Sequence, residues 1–175
     1  MNNLNHIALI LDGNKRWAKK NKQSNINGYT KGFENITKVV TYTLTKKISN
    51  LTIFALSSEN FNRSSINNKN LNLNIAFNYG FKDEIRNILT NIIKKGSNIN
   101  IDNQKNIDNL FFLGQIPDPD ILIRTGGYKR LSNFIMYNLT YTELFFTETL
   151  WPDFSEKEFN LIIDQYLNID RKYGL

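Results

Sequence analysis

The sequence predicts an α/β fold: a single domain with a mainly parallel central sheet flanked by helices. Short apolar, β-prone runs alternate along the chain with stretches of helical periodicity, the order that builds parallel sheets with crossover helices. The 175 residues, 41% hydrophobic and 13% aromatic, supply one core and too little length for two ordinary ones. Internal repeats, coiled-coil heptads and interdomain linkers are lacking, so one domain spanning residues 1–175 is expected.

The first run, HIALILD at residues 6–12, is a buried-strand pattern, and GNKRWAKKNK at 13–22 follows with a Gly-Asn turn and then a helix. Over residues 30–47, Phe33, Ile36, Val40 and Leu44 form the stripe of an amphipathic helix. LTIFALS at 51–57 reads as a second buried strand and the polar ENFNRSSINNKN at 59–70 as a loop. LNLNIAF at 71–77 reads as a third strand, with Leu71, Leu73, Ile75 and Phe77 in alternation. Phe81, Ile85, Ile88 and Ile92 mark another helical face, Gly96 occupies its expected C-terminal cap, and an Asn-rich loop runs to about Asn109.

DILIR at 120–124 is a strand preceded by Pro117 and Pro119 and followed by the glycine-containing loop TGGYKRLSN. FIMY at 134–137 and LFF at 144–146 read as further short strands. Ser155 with Glu158 makes a capping box, and Phe159, Ile162, Ile163 and Tyr166 give the apolar face of a last helix ending near Gly174.

Composition narrows the chemistry. Cysteine is absent, which excludes disulfide scaffolds, thiolate metal sites and cysteine nucleophiles, and the lone His6 argues against a His-clustered metal site or a Ser-His triad. His6 itself reads as a structural residue at a strand start. No apolar run approaches the roughly 18 residues of a membrane span, and the N-terminal stretch lacks the order of a signal peptide, so a cytoplasmic location is expected. The net charge of +6 points to an anionic partner: nucleic acid, a membrane surface or a phosphorylated small molecule. Nucleic acid is the weakest of these, since there is no basic stripe interleaved with exposed aromatics and neither a Walker pattern nor G-x-G-x-x-G. The 28 Asn are spread along the chain beside 22 Ile and 16 Lys, a nucleotide-bias signature rather than a prion-like tract.

With 16 Lys and only 6 Arg, each arginine marks a place where a planar, bidentate fork matters. Four of them fall in three polar clusters at predicted strand ends: Asp12-Gly13-Asn14-Lys15-Arg16, Ser57-Ser58-Glu59-Asn60 with Arg63, and Arg124-Thr125-Gly126-Gly127 with Arg130 and Ser132. Ligands of open α/β sheets bind beyond the carboxyl ends of the strands, so all three clusters are expected on one rim. Glycines beside arginines would let backbone N–H groups approach a phosphate, which reads as one diphosphate site or two. Taken alone, Asp12-Gly13-Asn14 is a tight turn with Asp12 as a helix cap, and the glycines of TGG meet a need for positive φ. Glu143 suits either a sheet-edge charge or a metal-binding carboxylate. Trp17 and the aromatic segment at 144–154 suit the core.

Five segments, HIALILDGNKRWAKK, ALSSENFNR, LNIAFNYG, DILIRTGGYKRLSNF and YTELFFTETLWPDF, occur in the order seen in cis-prenyltransferases, and the chain resembles bacterial undecaprenyl diphosphate synthases along nearly its whole length. The resemblance implies a Mg²⁺-dependent, head-to-tail condensation of isopentenyl diphosphate onto an allylic diphosphate such as farnesyl diphosphate, with cis geometry, supplying a polyprenyl lipid carrier. It implies that Asp12 is catalytic and holds Mg²⁺, that Gly13, Asn14, Lys15, Arg16 and Trp17 cradle the allylic diphosphate, and that Arg63 assists. Asn60 is the second catalytic candidate, with Ser57, Ser58, Glu59 and Phe61 beside it; an amide is a poor base, so its expected part is to orient substrate or relay through water. Arg124, Arg130, Leu131 and Ser132 resemble the isopentenyl diphosphate site, and Glu143 resembles a second Mg²⁺ carboxylate. A homodimer and a loose membrane association through the lipid product are further implications.

The departures carry information too. Asn25 and Tyr29 stand where the family usually has an Arg and a His, Tyr128 stands for its Glu after TGG, Lys15 for a glycine, and Phe61 for a Trp. Losing one charge-assisted hydrogen bond, about 1.5 to 3 kcal/mol, would weaken affinity or rate tenfold or more. Between Arg63 and Leu71 only a short polar connection replaces a family segment of several dozen residues, including a helix that walls the tunnel for the growing chain. The expected consequence is a shorter product, or a tunnel completed by a partner or the membrane. The rival expectation is a catalytically silent family member acting as a structural or regulatory subunit.

Overall fold

The protein's structure, a computed structural model, describes residues 3–55, 70–95, 99–100 and 102–172. Strands β1 (His6–Ile10), β2 (Asn50–Ala55), β3 (Asn72–Phe77), β4 (Ile121–Arg124) and β5 (Glu143–Phe146) form one sheet in the order β3-β2-β1-β4-β5. All four pairings are parallel, as the strand-helix alternation predicts. Helices α1 (Asn14–Lys20), α2 (Asn25–Thr45), α3 (Phe81–Lys95), α4 (Gln104–Asp108) and α5 (Glu156–Leu167) are the α-helices among the described residues, beside 3₁₀ turns at Met136–Leu139 and Trp151–Asp153.

The central strand shows why the sheet holds together. Every residue of β1 is buried, the mark of a strand covered on both faces. Its side chains alternate between two apolar layers: Ile7 and Leu9 join Val39, Val40, Phe159 and Ile163 on one side, while Ala8 and Ile10 join Phe54, Leu113, Leu122 and Phe134 on the other. Each large side chain so buried contributes about 1.5–3 kcal/mol. The register pairs Ile10 with both Phe54 and Arg124, which brings the carboxyl ends of β1, β2 and β4 to one rim.

Local signals locate α5 well. Ser155 is its N-cap, with Oγ accepting the Glu158 N–H, and Phe159, Ile162, Ile163 and Tyr166 are all buried, but the helix stops at Leu167 rather than near Gly174. Elsewhere the structure departs from the expectations. Helix α2 begins at Asn25, capped by Ser24, and buries Gly28, Gly32, Asn35, Val39, Val40 and Thr43 instead of a purely apolar stripe. The reason is α1, which lies so close that a Cβ on Gly28 would stand 2.5 Å from the Asn14 carbonyl oxygen. The Asn-rich loop before Asn109 contains α4, whose N-cap Asn103 accepts from the Lys105 N–H. FIMY is no strand: Met136–Leu139 forms a single 3₁₀ turn, and Phe134 and Ile135 are buried because the loop folds them under the sheet, Phe134 stacking on Phe54 at 4.7 Å. Gly96, residues 56–57 and residues 59–69 lie outside the described residues.

His6 is fully buried and spends both ring nitrogens on structure. Nδ1–H donates to the Pro117 carbonyl, and Nε2 accepts from the Thr52 hydroxyl at 2.7 Å. Burial lowers its pKa from the ordinary value of 6.5.

Candidate active site

The site begins where β1 ends. The Asp12 N–H donates to the Ile10 carbonyl at 3.0 Å and to Thr125 Oγ1 at 3.1 Å, and the Asp12 carbonyl accepts from the Trp151 N–H at 3.0 Å. Gly13 then turns the chain into α1 at φ 119°, a left-handed conformation in a space where a Cβ would stand 3.0 Å from Leu150. With its backbone held on several sides, Asp12 points its carboxylate along the rim.

There it accepts from two arginines. Oδ1 takes a bond from Arg16 Nη2 at 3.0 Å, one helical turn away, and Oδ2 takes one from Arg124 Nη2 at 2.9 Å, 112 residues away in sequence. Asp12 therefore does not cap α1: the N-cap is Gly13, with no side-chain cap bond, because two guanidinium groups draw the carboxylate elsewhere. Arg124, the last residue of β4, is 3% exposed. Its Nη1 donates to Ser132 Oγ at 2.7 Å and to the Arg130 carbonyl, while its buried Nε has no hydrogen-bond partner among the described residues. Arg16 also donates from Nη1 to the Gly126 carbonyl at 2.6 Å, which ties α1 to the loop after β4.

That loop differs from the expected phosphate cradle. The N–H groups of Gly126 and Gly127 donate to the carbonyls of Thr149 and Thr147, at 2.8 Å each, so neither is turned to the rim. What the glycines supply is closeness: a Cβ on Gly126, at φ 84°, would lie 2.5 Å from Arg16 Nη2. Ser132 and Asn133 also hold positive φ, at 52° and 66°, and Asn133 Oδ1 accepts from the Lys82 N–H at the start of α3.

Thus Asp12, Arg16, Arg124, Arg130 and Ser132 come together, and others do not. Asn14 packs its side chain against Gly32 of α2, Lys15 is exposed, and Leu131 packs against the second apolar layer. Trp17 is half-buried, donates from Nε1 to Asp153 at 2.7 Å, and lines a cavity of about 330 Å³ with Thr30, Lys31 and Glu34. Ser57, Ser58, Glu59, Asn60, Phe61 and Arg63 lie outside the described residues. Two residues that the sequence places here without a role acquire one: Thr125, whose hydroxyl donates to the Asp12 carbonyl at 2.8 Å, and Tyr128, whose ring has Arg16, Arg124 and Arg130 around it. In sequence Thr125 is marked by its cluster beside Arg124 and Tyr128 by replacing the expected Glu, and neither sign gives these contacts.

Glu143 lies apart from these residues within the chain. It opens β5 opposite Ile121, whereas Arg124 pairs with Phe146, so it stands about 10 Å back from the rim, toward the amino ends of the strands. Its neighbour there is Arg171, 4.0 Å away. Parallel register thus sets Glu143 apart from Asp12 within one chain, and no group of three or more His, Cys, Asp or Glu able to hold a metal occurs among the described residues. Mg²⁺ does not need one, since it is commonly held by one or two carboxylates together with substrate phosphates and water. Asp12, a rim carboxylate paired with two arginines, fits that pattern.

The prenyltransferase family model for undecaprenyl diphosphate synthase matches residues 10–71 and 64–174. An isoprenyl transferase of Aquifex pyrophilus is 34% identical over 97% of this chain and 95% of its own length. A ditrans,polycis-undecaprenyl-diphosphate synthase specific for (2E,6E)-farnesyl diphosphate, from Buchnera aphidicola subsp. Baizongia pistaciae, is 30% identical over 97% of this chain and 90% of its own. These alignments run over 223 and 225 positions, more than the 175 residues of the chain. Among solved structures, a lavandulyl diphosphate synthase from Lavandula x intermedia in complex with dimethylallyl diphosphate shares the fold, with a TM-score of 0.81 at 24% identity over 98% of both chains. A probable undecaprenyl diphosphate synthase from Campylobacter jejuni superposes with a TM-score of 0.72 at 26% identity over the full length of both.

Proposed function

The chain belongs to the undecaprenyl diphosphate synthase family of prenyltransferases, and from that premise we propose that it condenses isopentenyl diphosphate onto an allylic diphosphate such as farnesyl diphosphate, with cis geometry, to make a polyprenyl diphosphate precursor of a lipid carrier. One observation supports this above the rest: Asp12 sits between Arg16 and Arg124 on the carboxyl rim of a parallel sheet.

In the reaction the allylic C–O bond breaks with its electron pair leaving on diphosphate, the isopentenyl double bond supplies the new C–C bond, and a proton departs. The barrier lies in the departing negative charge, which preorganised cations stabilise. Arg16 binds the allylic diphosphate. Arg124, Arg130 and Ser132 bind the isopentenyl diphosphate, with the buried Nε of Arg124 available to an oxygen. Asp12 orients both guanidinium groups and would hold Mg²⁺, which when bound neutralises diphosphate charge. Asn60 orients substrate, because its amide has no useful basicity.

The long alignments support a missing segment between Arg63 and Leu71, and with it a shortened tunnel wall. We assign a product shorter than the family's long polyprenyl chains, a homodimer as the working unit, and a loose membrane contact made through the lipid product. No helix among the described residues is long and apolar enough to cross a membrane. Incubation with Mg²⁺, farnesyl diphosphate and labelled isopentenyl diphosphate, beside an Asp12→Ala control, tests the reading. Product that disappears in the control is expected. Absence of product from the wild type, with both diphosphates bound, would favour the silent-subunit reading, to which Asn25 and Tyr29 lend weight as replacements for an Arg and a His.

A further inference from the structure

Tyr128 occupies the position where the resemblance expects a glutamate, and it stands among three cations. The guanidinium carbons of Arg130, Arg16 and Arg124 lie 4.2, 4.6 and 5.8 Å from the centre of its ring. They arrive from separate parts of the fold: Arg16 from α1, Arg124 from the end of β4, and Arg130 from the loop beyond it. Asp12 pairs with Arg16 and Arg124, whereas Arg130 makes no ion pair among the described residues. Asp12 thus offsets two of the three positive charges directly, and mutual repulsion would drive the longer, more exposed side chains apart.

A tyrosine ring opposes that spreading in a particular way. Its π face attracts cations, and a guanidinium drawn to a ring from its flat side keeps its N–H edges free. A glutamate at the same position would cancel a positive charge and take up N–H donors, the two resources an anionic ligand needs. We propose that Tyr128 is a positioning residue shared by both diphosphate subsites: its ring gathers Arg16 on the allylic side and Arg124 with Arg130 on the isopentenyl side while leaving their donors to the ligands. The inference rests on the functional reading above, since it presumes that those arginines meet diphosphates. Because one ring serves both groups, its loss is felt at both subsites together.

The test is titration of inorganic diphosphate into the wild type, Tyr128→Phe and Tyr128→Leu, with KM and kcat measured for isopentenyl and farnesyl diphosphates. Phe and Leu both lack the hydroxyl and differ in the aromatic face. Tyr128→Phe is expected to bind diphosphate within about twofold of the wild type, and Tyr128→Leu about five- to thirtyfold more weakly, the sum of the two nearer cation–π contacts, from Arg130 and Arg16. In Tyr128→Leu both KM values rise by similar factors and kcat falls by less. Tyr128 is 43% exposed, so Tm is expected to hold; if the leucine variant fails to fold, Tyr128→Gln serves in its place under the same expectations. Wild-type affinity in the variant without a ring, or a rise in only one KM, overturns the inference and leaves the functional reading intact. A wild type that binds no diphosphate overturns both.

Discussion

At the scale of single residues, the site depends on who neutralises whom. Asp12 is the carboxylate shared by Arg16 and by Arg124, and the second of these is almost wholly buried. Asp12→Ala is therefore expected to lower kcat/KM by about 100-fold or more. It also lowers stability by about 1–3 kcal/mol, as a buried guanidinium loses its charged partner. Steady-state kinetics and thermal unfolding measure the two effects separately. His6 gives a second prediction, in pH. Burial holds its ring neutral in the folded state while the unfolded chain takes up a proton near 6.5, so the unfolded state binds more protons below that value. Stability is thus expected to be fully present above about pH 6.5 and to decline as pH falls below it, and His6→Gln should remove that part of the slope in Tm measured from pH 7.5 to 5.5. The structural part assigned to His6 was legible because a lone histidine in an apolar run has no catalytic partner beside it. Tyr128 is marked in the sequence only as a replacement for the expected Glu, because a loop tyrosine's part is set by the arginines gathered around it.

At the scale of elements, legibility follows how local the decisive interaction is. Helix α5 was readable from Ser155 and four apolar residues, since cap and stripe lie within the helix itself. Helix α2 was misjudged at its start because its first turns are held by α1, through Gly28 and Gly32, and no apolar stripe records a contact made by glycines. FIMY was misread because a short apolar run fits a buried strand and a buried turn equally, and the fold chose the turn. The glycine contact is testable. A Cβ on Gly32 would stand 2.1 Å from Asn14 Oδ1, in the helix that carries Arg16. Gly32→Ala is therefore expected to destabilise by about 1–3 kcal/mol and, by displacing α1, to raise KM for the allylic substrate more than for isopentenyl diphosphate. Equal KM values for mutant and wild type would show that α1 yields without moving Arg16.

At the scale of the whole molecule, the sheet frame and the segment proposed to be missing have separable consequences. The parallel sheet brings Asp12 and Arg124 together, so the proposed diphosphate chemistry has its rim, while the wall that measures the product is the part expected to be shortened. Chromatography of products by chain length should thus show chains shorter than those of a relative assayed in parallel, such as the Buchnera enzyme, and long polyprenyl chains from the purified protein alone would refute the shortened wall. The order of the five strands and of the longer helices, the rim motifs and the family were determined by the sequence alone, because hydrophobic period, caps and ordered motifs are properties of neighbouring residues. Tertiary structure decided the rest: that Arg124 crosses 112 positions to reach Asp12, that the glycine N–H groups bond to Thr147 and Thr149, and that Glu143 stands back from the rim. It also brought three arginines to one tyrosine. The physical reason is that these contacts are set by strand order and register, which place residues far apart in the chain side by side and leave no periodic trace in it.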